Sequence, residues 1–222
     1  MHWRYIFFDL DGTLTDPMLG ITRSVQYALR HFGIEVTDLS TLCPFIGPPL
    51  KDSFREFYGM DDARTEEAIA LTREYFAPKG IFENELYAGI TELLEELHDG
   101  GARIAMATSK PSPFARQIAE HFAIDRYFDL IEGSTLDGSR TTKSEVLRLA
   151  VEGLGVQDPA RAVMVGDRMD TDVISGLESG MSTVLVLSGV STRQTVETYA
   201  YQPNVILDGV GDIARLARKN KK

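Results

Sequence analysis

Asp9 and Asp11 stand two residues apart in Asp9-Leu10-Asp11-Gly12-Thr13-Leu14-Thr15, directly after the apolar run Arg4-Tyr5-Ile6-Phe7-Phe8. Side chains two apart at a strand end share one side. In an open α/β sheet the crevice beyond the strand carboxyl ends is where ligands bind. Gly12 permits the sharp turn that must follow. A Ca²⁺ loop is excluded, because the spaced acids and closing Glu of an EF-hand are missing. A second acidic group, Gly166-Asp167-Arg168-Met169-Asp170-Thr171-Asp172, follows another apolar run, Ala162-Val163-Met164-Val165. By itself it reads as a helix N-terminus capped by Asp170 or Asp172. Carboxylates gathered at neighbouring strand ends repel one another, and a bound Mg²⁺, which favours oxygen ligands and phosphates, would relieve this. With Asp9 and Asp11 present, the metal reading is the stronger one.

Two further segments fit the same chemistry. Ala107-Thr108-Ser109-Lys110-Pro111 offers hydroxyls and backbone N–H groups to a phosphoryl oxygen, although Ser/Thr with Pro also makes an ordinary turn. Lys143 opens a helical pattern. Alone it reads as a solvated lysine, but beside an acid cluster it supplies the charge that a pentavalent phosphorus centre needs.

These residues must be positioned by alternating strands and helices. Arg103–Ala107, Ala162–Val165 and Thr183–Leu187 are continuous apolar runs like the first, and Val205–Leu207 is a shorter one. Runs without polar alternation read as strands buried on both faces of a parallel sheet. Helical spacing at Ile90-Leu93-Leu94-Leu97, Val146-Leu147-Leu149-Ala150 and Ile213-Leu216-Ala217 fills the gaps. The pattern predicts a doubly wound α/β sheet. From Pro17 to Glu85 it changes to helices alone, around Ile21–Phe32, Leu50–Phe57 and Ala68–Tyr75, separated by Gly33, Gly47-Pro48-Pro49 and Gly59. The expected organisation is a Rossmann-like core of residues 1–16 and 86–222, with an all-helical cap at 17–85.

Asp-x-Asp-Gly-Thr-Leu-Thr, Ala-Thr-Ser-Lys-Pro, a lysine, and Gly-Asp-Arg…Asp, in that order, resemble the haloacid dehalogenase-like superfamily. Phe45-Ile46-Gly47-Pro48-Pro49-Leu50, Leu86-Tyr87-Ala88-Gly89-Ile90 and Leu136-Asp137-Gly138-Ser139-Arg140 resemble its phosphoglycolate phosphatase and 5′-nucleotidase subgroup. The resemblance implies a Rossmann-like sheet with a cap inserted after the first motif. It implies that Asp9 attacks phosphorus and that Asp11 protonates the leaving oxygen, then deprotonates water. Thr108, Ser109 and Gly12 would bind the phosphoryl group, with Lys143 neutralising charge. Mg²⁺ would sit among Asp9, the carbonyl of Asp11, Asp167 and a further acid. The common family spacing would place that acid at Thr171; the longer spacing selects Asp172, with Asp170 as runner-up. In the inserted block Arg23, Gly47, Lys51 and Arg55 are the candidates for substrate choice.

The expected activity is Mg²⁺-dependent hydrolysis of small phosphomonoesters. The alternatives are a phosphomutase of the β-phosphoglucomutase type and a non-enzymatic phosphoacceptor regulator. Composition bounds the partners. The chain of 222 residues has 43% hydrophobic and 25% charged residues, which is globular, and a net charge of −10, which disfavours nucleic acid and anionic membranes. No apolar run approaches a membrane span. Cys43, the single cysteine, excludes an intrachain disulfide and a cysteine-rich zinc site. The first residues lack the succession of a signal peptide, so a cytoplasmic monomer or homodimer acting on a small phosphorylated metabolite is expected. Gly209-Val210-Gly211-Asp212 imitates a dinucleotide fingerprint but has no second strand after it and reads as a helix start. His31, His98 and His121 fall in helical patterns as surface or boundary residues, and the basic end, Arg215 to Lys222, reads as a solvated helix tail.

Overall fold

Strand β1 (Tyr5–Phe8) has four consecutive buried residues, as a strand covered on both faces must. In this computed structural model, which describes residues 3–213 and 216, the chain then passes through β2 (Thr15–Asp16) into a helical stretch. That stretch contains α1 (Met18–His31), α2 (Leu50–Tyr58) and α3 (Asp62–Phe76), and it ends at β3 (Glu85–Leu86). The remainder alternates: α4 (Ile90–Asp99), β4 (Arg103–Pro111), α5 (Ser112–His121), β5 (Leu130–Ser134), α6 (Lys143–Leu154), β6 (Ala162–Gly166), α7 (Ile174–Glu178), β7 (Ser182–Val186), α8 (Arg193–Val196) and β8 (Val205–Leu207). The chain divides into two compact units, Asp16–Glu85 and the rest.

The larger unit is built on a six-stranded parallel sheet in the order β5-β4-β1-β6-β7-β8. β1 lies in the middle, with Phe8 in register with Met106 of β4 on one side and Val165 of β6 on the other. The residues that follow these three positions therefore emerge side by side at one end of the sheet. One face is covered by α6, whose Val146, Leu147 and Ala150 pack with Phe7, Ala105 and Met164, all essentially inaccessible. Each larger apolar side chain so buried contributes about 1.5–3 kcal/mol. A capping box fixes the start of α6: Thr142 accepts from the Glu145 amide, and Glu145 reaches back to the Thr142 amide.

The smaller unit has its own core of Val25, Ala28, Leu29, Leu42, Phe45, Phe54 and Ala68. Phe57, which closes the helical spacing of Leu50–Phe57, is 45% exposed.

β5 is absent from the strands expected from sequence. Leu130-Ile131-Glu132-Gly133-Ser134 has a charge, a glycine and a serine in five residues, because an edge strand is paired on one side and half-covered. At the other end a single 3₁₀ turn, Val210–Asp212, starts where the helix was expected. The expected helix and basic tail beyond it lie largely outside the described residues. No helix among the described residues is long and apolar enough to cross a membrane.

Candidate active site

Asp9 continues β1, its amide donating to the Val165 carbonyl at 2.9 Å. Its Oδ1 accepts from the Leu10 amide at 2.8 Å and lies 2.9 Å from the ammonium of Lys143. Lys143, the first residue of α6, reaches across to the sheet. Its Nζ donates to the Ala107 carbonyl at 2.9 Å and stands 2.8 Å from Oδ1 of Asp172. Asp9, Asp167 and Asp172 are all buried, and each offers a carboxylate oxygen within 4.8 Å of the others.

A wide π-type turn, Met169–Val173, decides which acid joins them. The amides of both Asp172 and Val173 donate to the Arg168 carbonyl, and the Arg168 amide donates back to Asp172 Oδ2 at 3.1 Å. The extra residue in this turn brings Asp172 into the cluster. Asp170 instead points to Arg168, 2.7 Å away, and is 46% exposed.

Backbone walls the acids in. Gly12 has a φ of +80°, and a Cβ there would lie 2.6 Å from Asp167 Oδ2. A Cβ on Gly189 would come within 2.1 Å of the same oxygen, and one on Gly166 within 2.2 Å of the Asp172 carboxyl carbon. The Val190 amide donates to Asp167 Oδ2 at 2.7 Å and the Ser191 amide to the Asp167 carbonyl at 3.1 Å. Ser188 Oγ donates to the Gly12 carbonyl, and the Tyr87 hydroxyl donates to the Ser188 carbonyl. Ser188–Ser191 is not among the site residues expected from sequence, yet its amides hold Asp167.

Asp11 makes a different contact. Its Oδ2 is 2.7 Å from the Lys110 ammonium, and both side chains are largely buried. The Asp11 side chain is outside the three-acid group; the resemblance engages Asp11 through its main-chain carbonyl. Thr108 is buried within β4, beside Ala107, and Ser109 is half-buried after it. The remaining candidates belong to the smaller unit. Arg23 is held by Glu83 at 2.6 Å, Arg55 pairs with Asp62, Lys51 is exposed, and Gly47 has a φ of +101°.

Burial dominates the titration of Asp167, Asp172 and Asp11. It raises Asp167 to about 8, with Asp172 and Asp9 adding repulsion. It raises Asp172 to about 6, against the pull of Lys143. It also raises Asp11, opposed by Lys110. Burial alone would lower Lys143, but Asp172 and Asp9 outweigh it and hold the ammonium above the ordinary lysine value. Four carboxylates face two ammonium groups, which leaves two negative charges when all are ionised. Oδ1 of Asp167 is buried and accepts no hydrogen bond among the described residues. An all-oxygen donor set with this charge fits a divalent cation such as Mg²⁺.

This fold, with acids and ammonium groups gathered beyond the ends of its central strands, is that of a Rossmann-like α/β enzyme. The family model described as haloacid dehalogenase-like hydrolase matches residues 6–186, and the chain belongs to that family. It is 48% identical over 200 residues, 89% of this chain and 88% of the other, to a protein of Pseudomonas aeruginosa named 5′-nucleotidase. It is 38% identical over 213 residues, 93% of this chain and 72% of the other, to a protein of Mycobacterium tuberculosis named tyrosine-protein kinase PtkA. The crystal structure of a predicted phosphatase from Clostridium acetobutylicum superposes with a TM-score of 0.89 at 43% identity, covering 98% of this chain and 99% of that one. The chain is accordingly an enzyme, a hydrolase of the phosphatase kind, which answers the alternative of a non-enzymatic phosphoacceptor.

Proposed function

We propose that the enzyme is a Mg²⁺-dependent phosphatase that hydrolyses small phosphomonoesters through an aspartyl-phosphate on Asp9, with nucleoside 5′-monophosphates as its first substrate class. The observation that carries this reading is the contact of Lys143 with Asp9 and Asp172 inside a buried acid cluster, 2.9 and 2.8 Å away. The name of the P. aeruginosa relative favours the nucleotide class over phosphoglycolate.

Asp9 is the nucleophile. Its Oδ1 is engaged by Lys143 and the Leu10 amide, so Oδ2 is the attacking oxygen in this reading. As the P–O bond to the leaving group breaks, Asp11 gives that oxygen a proton. It then takes one from the water that attacks the phospho-aspartate, and ends protonated as it began. Lys143 offsets charge on Asp9 and the phosphoryl oxygens, and Thr108, Ser109 and the loop at Gly12 hold those oxygens. Asp9, Asp167 and Asp172, with the main-chain carbonyl of Asp11, would hold Mg²⁺. When bound, the ion supplies charge neutralisation that lets a carboxylate approach a dianionic phosphate. Residues of the inserted unit would set substrate choice, and the substrate would be a cytoplasmic metabolite.

The test is phosphate release from nucleoside 5′-monophosphates, phosphoglycolate and sugar phosphates, with Mg²⁺ and with chelator. Turnover is expected with Mg²⁺ alone and is abolished in Asp9→Asn. Full turnover by Asp9→Asn overturns the nucleophile assignment.

A further inference from the structure

Lys110 has no role in the reading above, and in sequence it sits in an ordinary Thr-Ser-Lys-Pro turn. The structure puts it elsewhere. β4 pairs with β5 at Thr108↔Gly133 and next at Pro111↔Ser134, three steps along one strand against one along the other. This is a bulge, a device that redirects a side chain at a strand end. It is built in on both sides. The Lys110 amide donates to Thr108 Oγ1 at 3.2 Å, the Gly133 amide to Ser112 Oγ at 2.9 Å, and Ser134 Oγ to the Ser109 carbonyl at 2.8 Å. Gly133 has no room for a side chain, since a Cβ would stand 2.2 Å from the Lys110 carbonyl oxygen.

The bulge delivers the Lys110 ammonium to Oδ2 of Asp11, with only 6% and 13% of the two side chains exposed. A lysine and an aspartate are costly to bury unless they are paired, so the contact fixes both. Oδ1 of Asp11 is buried and has no hydrogen-bond partner among the described residues. The two oxygens of this carboxyl are thus differentiated, one held by a cation and one not.

We propose that Lys110 is a positioning residue for proton transfer: clamped on Oδ2, it fixes the Asp11 carboxyl so that Oδ1 carries the proton to the leaving oxygen and recovers it from water. Lys110 keeps its own protons throughout. When Asp11 has given up its proton, the carboxylate remains paired. The inference rests on Asp11 acting as the acid and base.

The experiment compares esters that do and do not need an acid. In Lys110→Met, kcat for an alkyl phosphomonoester is expected to fall about 100-fold, as for a misplaced reacting group, with KM changed less than about twofold. With 2,4-dinitrophenyl phosphate, whose leaving group needs no proton, the pre-steady-state burst of dinitrophenolate is expected to slow less than about threefold. Lys110→Arg, which restores the cation, is expected to recover most of the alkyl-ester rate. An equal loss of burst and alkyl turnover, or a rise in KM for both esters, overturns the proposal by making Lys110 a phosphate ligand or a structural residue. Unchanged alkyl turnover also overturns it. Should Lys110→Met not fold, Lys110→Gln carries the same comparison. Asp9→Asn and Asp11→Asn serve as controls: turnover of alkyl esters retained in either one defeats the underlying reading, independently of the Lys110 result.

Discussion

Lys143→Met removes one ammonium and keeps most of its apolar stem. The ammonium is 2.9 Å from Asp9 and 2.8 Å from Asp172, with 2% of its side chain exposed. At an effective dielectric constant near 20, each such contact is worth about 6 kcal/mol before desolvation is counted. Removing one partner of a buried pair costs about 3–5 kcal/mol in practice. For a chain of this size 1 kcal/mol shifts Tm by about 2–4 °C, so the expected fall is roughly 6–20 °C. The loss depends on pH. Asp172 near 6 and Asp167 near 8 both titrate above their unfolded value of 3.8. The folded state therefore binds more protons than the unfolded one, and metal-free stability declines as pH rises from about 4 through these values. Without Lys143 the acids move further up, so the variant keeps losing stability where the parent has levelled off. Thermal unfolding in chelator at about pH 6 and about pH 8.5 should show the larger deficit at the higher pH. A variant that melts with the parent at both values refutes the buried network.

Other outcomes follow from the same geometry. Mg²⁺ added to the metal-free protein should raise Tm, and more at about pH 8 than at about pH 6, because protons on Asp167 and Asp172 compete with the ion; an equal rise at both would contradict the raised acids. Gly189→Ala should weaken Mg²⁺ binding measured by calorimetry about 10–100-fold, as loss of an outer support does, since the new methyl displaces Asp167. Asp172→Asn should cost on the order of 10²–10³ in kcat, while Asp170→Asn, at the surface, should stay within about twofold; the reverse ranking in steady-state assays would mean that Asp170, not Asp172, serves the reaction.

The acids, the hydroxyl turn and the lysine were legible because chemistry restricts residue type at strand ends, and buried parallel strands leave unbroken apolar runs. Gathering four carboxylates in one crevice gave Asp9, Asp11, Asp167 and Asp172 a shared explanation that none had alone. Asp172 was preferred to Asp170 through the spacing that the family resemblance supplies, not through local periodicity. A helical period of 3.6 has no place for a turn that takes one extra residue, and nothing in Met-Asp-Thr-Asp-Val announces it. Lys110 was invisible for a tertiary reason. Its burial depends on the bulge against β5, and β5 is an edge strand whose Glu132, Gly133 and Ser134 mask the apolar pattern. Ser188–Ser191 was similarly opaque, because it acts through main-chain amides, which any sequence possesses.

Gly12, Gly166 and Gly189 press peptide groups, not side chains, against the acids. The scaffold of the reaction is thus largely anonymous with respect to side-chain identity: three bare positions and a few amides set it. In the proposed function, where the inserted unit chooses the ester, exchanging its residues would alter the substrate while this scaffold stays as it is, so variation in substrate and constancy of chemistry would be separable. A methyl group at any of the three bare positions would break that separation.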